Sequence, residues 1–320
     1  MLRVLVGVGL AVALALTGLR AAGRDGPAPL PAVVAWTPYA APVVLALLLA
    51  ALAGHMPLAA AVAAALLGVQ LLWLAPRFVA EPPARGAAAG AAGLPEAREA
   101  RFRVMVANVL VGGAEAGAVA EAVRAERPDV LALVELTPAL AAALDETDLR
   151  ELLPFRSLDP YPHPGGVGIY ARSPLGAGRP IGGTNLRCRR AEVGLDGHRV
   201  GVFAVHAFPP RPGTTGRWHD DLEAVRVAAA GHAHPLVVLG DFNATADHAR
   251  FRALLDSRLR DAHDARGRGL VRTWPALGPL PPLLHLDHVL VSPDLAVLAV
   301  RERPIRGSDH LAVVADLALR

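Results

Sequence analysis

The chain has 320 residues, of which 53% are hydrophobic, and its mean hydropathy of +0.38 is high for a protein that is soluble throughout. Its formal net charge is +3, but from Arg101 onward 26 arginines face 25 acidic residues, so the cationic surplus of a domain that grips a nucleic-acid duplex is missing. Cys188 is the only cysteine, which excludes an intramolecular disulfide and cysteine-based zinc sites.

Three apolar runs with almost no charge in the first 76 residues predict membrane helices. They cover residues 2–19, 33–53 and 58–74, and each approaches the roughly 20 apolar residues that a bilayer span needs. No small-x-small cleavage site follows the first run, which favours a retained helix over a cleaved signal peptide. A buried soluble bundle is disfavoured because the runs lack a polar stripe. We therefore predict a multi-pass transmembrane region over residues 1–76.

The arginines between these runs indicate how the transmembrane region is oriented in the membrane. Arg20 and Arg24 lie between the first two runs, with Asp25 beside them, whereas the short loop 54–57 has no arginine. Taken literally, the positive-inside rule places the first loop in the cytoplasm, and the C-terminal domain with it.

Residues 77–100 are rich in Pro, Gly and Ala without periodicity and are predicted to be a linker. From residue 101 to residue 320 short apolar runs alternate with turn residues, which indicates a layered α/β sandwich rather than a purely parallel sheet. The predicted strands are 102–109, 130–134, 166–171, 187–195, 199–206, 236–239, 286–291, 295–301 and 311–317. The predicted helices are 114–126, 138–144, 218–230 and 246–255.

Polar side chains recur where these apolar strands end. Strand ends at one edge of a sheet converge in space, so residues far apart in sequence can build one site. Carboxylate and amide oxygens bind Mg²⁺ or Mn²⁺, and such ions stabilise charge on a phosphate during phosphoester hydrolysis. The residues in question are Asn108, Glu135, His206, Asp241, Asn243, Asp287, Asp309 and His310.

In this order the set resembles the endonuclease/exonuclease/phosphatase superfamily over about Arg101–Leu317. The resemblance implies a DNase I-like four-layer α/β sandwich and a hydrolase that depends on Mg²⁺ or Mn²⁺. By position in the motifs, Glu135 resembles the principal metal ligand. Asn108, which resembles the residue close to the metal and the phosphate, and Asp309 are the other predicted metal-site residues. Leu110 stands where many members have an acidic residue, which puts one additional metal contact in question.

The same resemblance implies roles for the remaining motif residues. His310 is expected to act as a base or as a phosphate-binding imidazolium, with Asp287 holding its ring. Asp241 and Asn243 match the pair that orients the attacking water and the scissile phosphate. His206 resembles the histidine that bonds a phosphate oxygen or assists the leaving group. Asn243 and His206 are thus predicted to be substrate-binding as well as catalytic.

We interpret the chain as a membrane-tethered phosphoester hydrolase acting on a lipid phosphate or pyrophosphate. It also resembles the three-span bacterial VanJ-type members, whose catalytic domain faces outward. This resemblance favours a cell-membrane protein with an extracytoplasmic domain over the orientation that the arginines indicate. Two alternatives stay open: a membrane-anchored or extracellular nuclease on DNA or RNA, and a non-catalytic membrane-anchored binding module. The second is disfavoured because no motif residue is missing. No obligate protein partner is inferred.

Overall fold

The computed structural model describes residues 1–82, 100–195, 197–233, 235–256 and 258–320. Most of the predicted linker, residues 83–99, therefore lies outside the described residues. The N-terminal part consists of helices that pack on one another through small and branched apolar side chains such as Val6, Leu10, Val44 and Ala63. Its helices are α1 (Leu2–Ala21), α2 (Leu30–Val34), α3 (Ala40–Ala53) and α4 (Pro57–Leu74), with 3₁₀ turns at Thr37–Tyr39 and Ala75–Phe78.

Two N-terminal helices are long and apolar enough to cross a membrane, Leu2–Ala21 and Pro57–Phe78. They match the first and third predicted spans. The second predicted span, 33–53, is interrupted by the 3₁₀ turn that contains Pro38, because proline cannot donate the backbone hydrogen bond of a helix interior. Helix α3 has 14 residues and a length of about 21 Å, which is shorter than the roughly 30 Å of a bilayer core.

The rest of the chain forms two six-stranded sheets. The first has the strand order β11-β12-β1-β2-β4-β3, and the second has the order β5-β6-β7-β8-β10-β9. The strands are β1 (Arg101–Asn108), β2 (Val130–Val134), β3 (Phe155–Asp159), β4 (Val167–Ala171), β5 (Arg179–Pro180), β6 (Arg189–Leu195), β7 (His198–His206), β8 (Leu236–Asp241), β9 (Arg260–Asp261), β10 (Asp287–Val291), β11 (Leu295–Pro304) and β12 (Leu311–Leu319). The helices are α5 (Ala116–Glu126), α6 (Pro138–Asp145), α7 (Leu149–Leu152), α8 (Thr215–Ala230), α9 (Ala249–Asp256) and α10 (Ala262–Ala265).

The alternation of side chains along the strands builds four layers. On β1, Val104 and Val106 point into the core between the two sheets, whereas Met105 and Ala107 face the helices on the outside. The second sheet buries its outer face against α8 and α9, around Phe203 and other apolar side chains. The predicted four-layer sandwich is confirmed.

The directions of the strands bring the strand ends that carry the motif residues to one edge of the two sheets. Strands β1 and β2 are parallel, and so are β7 and β8, so their carboxyl ends point the same way. Strands β12 and β10 run antiparallel to β1 and β8, so their amino ends meet this edge. Asp287, the first residue of β10, is directly opposite Asp241, the last residue of β8. Residues from both sheets therefore converge there.

The N-terminal region is docked on this same edge. Arg20 Nε lies 2.6 Å from Asp247 Oδ1, and both side chains are buried. The carboxylate of Asp25 accepts hydrogen bonds from the backbone N–H groups of Ala249 (2.7 Å) and Arg250 (2.8 Å), and so caps the start of α9. Further along, Pro31 O lies 2.8 Å from His248 Nε2 and the Tyr39 hydroxyl donates to Leu283 O at 2.5 Å, so residues 20–39 are held beside the ends of the strands.

Candidate active site

The carboxyl ends of β1 and β2 supply an amide and a carboxylate that face each other. Asn108 Nδ2 lies 3.2 Å from Glu135 Oε1 and 3.1 Å from Asp241 Oδ2, so this one amide group bonds acids from both sheets. Its Oδ1 accepts a hydrogen bond from the backbone N–H of Leu110 at 2.9 Å. Asn108 therefore faces the acids with its donor nitrogen.

Glu135 is held in position by its backbone. Its φ is +61°, in the left-handed region that residues other than glycine rarely adopt, which turns the chain sharply at the end of β2. The carboxylate then accepts a hydrogen bond from the N–H of Val111 at 2.7 Å. Beside this turn, a Cβ on Gly166 would lie 1.9 Å from the backbone oxygen of Leu136, so only glycine allows β4 to pass so close.

Asp241, Asn243 and His206 gather at the ends of β8 and β7. Asp241 Oδ1 accepts the backbone N–H of Asn243 at 2.8 Å, and Asn243 Nδ2 donates to Ala207 O at 3.0 Å. His206 Nδ1 lies 2.9 Å from Pro164 O, which can only accept, so Nδ1 carries the hydrogen. Its Nε2 is then directed at Glu135 Oε1 (3.6 Å) and Asp241 Oδ2 (3.7 Å).

His310 and Asp287 form a buried pair. His310 Nδ1 lies 2.7 Å from Asp287 Oδ2, and its Nε2 lies 3.8 Å from Asp241 Oδ2. Burial lowers the pKa of His310, but the charges of Asp287 and Asp241 outweigh it and raise this pKa to about 10. At neutral pH the ring is therefore an imidazolium that presents an N–H to the cleft. Burial, with the charge of Asp287 adding to it, raises the pKa of Asp241.

Asp309 is oriented by an indole. The Nε1–H of Trp274 donates to Asp309 Oδ2 at 3.1 Å, which leaves Oδ1 buried without a hydrogen-bond partner among the described residues. A buried carboxylate oxygen without a partner is rare, and a bound cation would satisfy it. With the carboxylate of Glu135 in the same cleft, these hard oxygen donors fit Mg²⁺ or Mn²⁺.

Asp241, Asp287 and His310 also bring ligand-type atoms within 4.8 Å of one another. We do not assign the metal to this triplet, because the His310 ring is protonated and already bonded to Asp287. A protonated imidazole has no lone pair for a metal.

A cleft of about 1140 Å³ opens over these groups, with Glu135, Asp241 and His310 among its lining residues. One wall comes from the N-terminal region: Pro31, Ala32 and Ala35 line it, and His248 Nε2 lies 2.8 Å from Pro31 O. The lining also includes polar and cationic side chains, namely His163, Asn185, Arg187 and Arg211. The cleft is thus lined by both apolar and cationic residues.

The structure brings all eight motif residues to one edge: Asn108, Glu135, His206, Asp241, Asn243, Asp287, Asp309 and His310. Sequence reasoning missed Trp274, whose indole orients Asp309, and did not single out Ser308. It also missed the wall from residues 31–35. The tryptophan in Thr-Trp-Pro had no neighbouring motif to mark it, and the wall depends on contacts more than 180 residues apart.

Comparisons with known proteins identify the family and the fold. The family model described as "Endonuclease/Exonuclease/phosphatase family" matches residues 105–310. No curated protein matches the chain. Among solved structures, D. rerio TDP2 complexed with single strand DNA product has 15% identity and a TM-score of 0.58, covering 68% of this chain and 99% of that one.

Two bacterial structures are similar to the same part of the chain. An endonuclease/exonuclease/phosphatase from Beutenbergia cavernae DSM 12333 has 22% identity and a TM-score of 0.53, covering 69% of this chain and 72% of that one. Sphingomyelinase C from Streptomyces griseocarneus has 17% identity and a TM-score of 0.51, covering 69% and 99%. At such identities these likenesses establish the fold alone.

Proposed function

This chain belongs to the endonuclease/exonuclease/phosphatase family of phosphoester hydrolases, and we propose that its substrate is a phosphoester or pyrophosphate carried by a membrane lipid. The observation that carries the proposal is the wall of the cleft formed by Pro31, Ala32 and Ala35. These apolar residues lie between α1 and α4, the two helices with the length and composition of membrane spans. A substrate with an apolar end and an anionic end matches a cleft that is lined by both apolar and cationic residues.

The polar residues of the cleft have different proposed roles toward the phosphate. The imidazolium of His310 donates its Nε2–H to a phosphate oxygen, while Asp287 holds the ring. Asn243 and His206 border the same space and bind the phosphate. The carboxylate of Asp241, whose pKa burial raises, accepts a proton from the attacking water.

Glu135 and Asp309 are the proposed metal ligands, and Asn108 fixes Glu135 and Asp241 relative to each other through its amide nitrogen. When bound, Mg²⁺ or Mn²⁺ supplies Lewis-acid stabilisation of the charge that develops on the phosphate.

The test uses the full-length protein in detergent micelles and two kinds of substrate, a polyprenyl pyrophosphate and a short water-soluble phosphodiester. Ala32 is exposed on the apolar wall, so Ala32→Glu places a charge there without disturbing the core. We expect kcat/KM for the lipid to fall at least tenfold, roughly the effect of 1.4 kcal/mol, with little change for the soluble ester. The matched control is Ala177→Glu, at an exposed position outside the cleft lining.

His310→Ala and EDTA are expected to abolish both activities. An equal loss on both substrates in Ala32→Glu would contradict the role of the wall. If no metal-dependent hydrolysis of any phosphoester occurs, the catalytic proposal itself fails and the binding-module interpretation gains.

A nuclease is the second candidate, since a relative of the same fold was solved with a DNA product and Arg187 and Arg211 line the cleft. It predicts cleavage of single-stranded DNA or RNA that falls steeply as salt concentration rises. Nucleic-acid cleavage without lipid hydrolysis would favour it over the lipid substrate.

A further inference from the structure

A second cluster of side chains of the types that bind metals, two of them buried and one half-buried, lies on the far side of β10 from the active site. Asp261 ends β9, His285 precedes β10 and His288 lies within β10, next to Asp287 but on the opposite face. Asp261 and His288 are 3% and 1% exposed. This cluster has no part in the catalytic arrangement described above.

The hydrogen-bond partners of His288 show that a positively charged species must lie between His288 and Asp261. His288 Nε2 lies 2.9 Å from the backbone oxygen of Ala244, which can only accept, so Nε2 carries a hydrogen. A neutral imidazole then presents a bare lone pair at Nδ1. This nitrogen lies 2.6 Å from Asp261 Oδ2, also an acceptor. This separation is that of a hydrogen bond, so a proton lies between the two atoms in the metal-free protein, and a metal ion that binds here displaces it.

His285 supplies the observation that favours a metal ion. Its Nε2 is buried and has no hydrogen-bond partner among the described residues, and its ring centroid is 4.0 Å from that of His288. A neutral imidazole carries one N–H and one nitrogen lone pair, so His285 can offer a single nitrogen to a metal ion. Ligand-type atoms of Asp261, His285 and His288 all lie within 4.8 Å of one another.

The space beside these three residues can hold an ion, and the positively charged groups near it are already paired with acids. A cavity of about 30 Å³, the volume of roughly one water molecule, is lined by these three residues and by Arg77. The guanidinium of Arg77 is paired with Asp247 at 2.9 Å. His263, the other neighbouring imidazole, lies 2.9 Å from Glu302. The carboxylate of Asp261 remains to balance a cation.

We propose that Asp261, His285 and His288 form a second metal site, which takes a first-row transition metal, Zn²⁺ above all, with water completing the coordination. Two imidazole nitrogens and one carboxylate suit Zn²⁺ better than Mg²⁺, which prefers oxygen. The bond from His288 Nε2–H to Ala244 O is the kind of outer contact that fixes a metal-binding histidine. The site ties β9 to the segment that enters β10 two residues before Asp287, and so it stabilises the support of the catalytic pair.

Metal analysis of the full-length protein tests this proposal. The protein is purified in detergent with a tag that contains no histidine, supplied with one equivalent of Zn²⁺, and dialysed against excess Mg²⁺. Zinc is then measured by inductively coupled plasma mass spectrometry. We expect about one zinc per chain in the wild type and in Glu135→Gln, which weakens the active-site metal position. We expect at least tenfold less in His285→Leu, and no loss in the control His198→Leu, at an exposed histidine.

Thermal unfolding separates loss of metal from loss of fold. If His285 is a ligand, His285→Leu lowers the Tm of the zinc-loaded protein, and added Zn²⁺ stabilises only proteins that keep His285. If His285 is merely a buried imidazole without a partner, leucine removes a desolvated polar atom, and the Tm stays or rises. Zinc retained in His285→Leu, lost in Glu135→Gln, or absent from the wild type would each overturn the proposal.

Discussion

The hydroxyl of Ser308 donates a hydrogen bond to the backbone oxygen of Asn108 at 2.7 Å. Ser308 Oγ in turn accepts the backbone N–H of His310 at 3.0 Å, so Ser308 ties the end of β1 to the turn that carries Asp309 and His310. Both contacts are buried. Ser308 is thus a positioning residue, placed between the proposed metal ligands and the imidazolium.

Ser308→Ala is expected to reduce kcat about tenfold with a smaller change in KM, because the imidazolium loses its fixed position relative to Asn108. The buried carbonyl of Asn108 also loses its donor, at a cost of about 1–3 kcal/mol in stability. Steady-state kinetics and thermal unfolding measure the two effects. The control is Ser173→Ala, at a half-buried serine outside the cleft lining. A KM effect without a kcat effect would contradict the positioning role.

Asp25→Ala is expected to loosen the contact between the N-terminal region and α9. The backbone N–H groups of Ala249 and Arg250 lose their acceptor, and loss of a helix cap costs about 1 kcal/mol. Hydrogen exchange should accelerate at these two amides and in residues 30–35, and lipid hydrolysis should fall more than hydrolysis of a soluble ester. Asp220→Ala, at an exposed acid in α8, is the control. Unchanged exchange in residues 30–35 would mean that the wall is held by other contacts.

The ion pairs of Glu126 predict a pH dependence of stability. Burial would raise the pKa of Glu126, but hydrogen bonds and charge from Arg301 and Arg303 outweigh it and hold this pKa below its ordinary 4.5. A carboxyl group with a depressed folded-state pKa stabilises the protein above its unfolded pKa, and this contribution is lost as pH falls through the folded value.

Glu126→Gln should therefore lower the free energy of unfolding by about 1 kcal/mol at pH 7. The difference from the wild type should shrink as pH falls below 4.5 and vanish once pH is below the folded-state pKa of Glu126. Thermal unfolding across this pH range measures it. Glu151→Gln, at an exposed position in α7, should show no such dependence. A difference that persisted at the lowest pH would point to packing rather than to charge.

Gly240 lies in β8 directly before Asp241, where the neighbouring strand passes very close. A Cβ at this position would meet the backbone oxygen of Val205 at 1.8 Å. Gly240→Ala should therefore push β7 and β8 apart, cost more than about 2 kcal/mol in stability, and reduce activity by displacing His206 from Asp241. Gly117→Ala in α5, where nothing lies within 4 Å, should instead stabilise the protein by about 0.5–1 kcal/mol. Similar unfolding temperatures for the two variants would contradict this explanation.

The single cysteine makes the predicted membrane orientation testable. Cys188 is 1% exposed, and burial raises the pKa of its thiol to about 12, so it should not react with a thiol reagent in the folded protein. Ala177→Cys adds an exposed thiol to the α/β region. An extracytoplasmic domain predicts labelling of this variant in intact cells by a membrane-impermeant maleimide, with the wild type unlabelled. Labelling only after cell lysis would favour the cytoplasmic side.

Much of the α/β region was predictable because its strands are apolar runs with a polar residue at the end. Asn108, His206 and Asp241 were each placed at the strand end where the structure has them. Strand β3 (Phe155–Asp159) was missed because its side chains are mostly polar or half exposed, so no apolar run marks it. Helix α3 begins later than the second predicted span because hydropathy alone does not register the break at Pro38.

The wall of the cleft was beyond sequence reasoning for a different reason. It depends on contacts such as that between His248 and the backbone of Pro31, which are 217 positions apart and leave no local pattern. Likewise, the partner of Asp309 is an indole 35 positions away. Sequence patterns located the strand ends, whereas the contacts that shape the cleft follow only from the packing of distant segments.

Because residues 20–39 dock beside the strand ends, the N-terminal helices cannot be exchanged for another membrane anchor without changing the cleft. In a chimera with an unrelated hydrophobic anchor in place of residues 1–76, the catalytic side chains would remain, whereas the contribution of Pro31, Ala32 and Ala35 to the cleft would be lost. If these residues select the substrate as proposed, such a chimera would hydrolyse soluble esters and discriminate poorly among amphiphilic ones. The proposed selectivity would then not be transferred with the hydrolase fold alone, because it depends also on the helices that precede the fold.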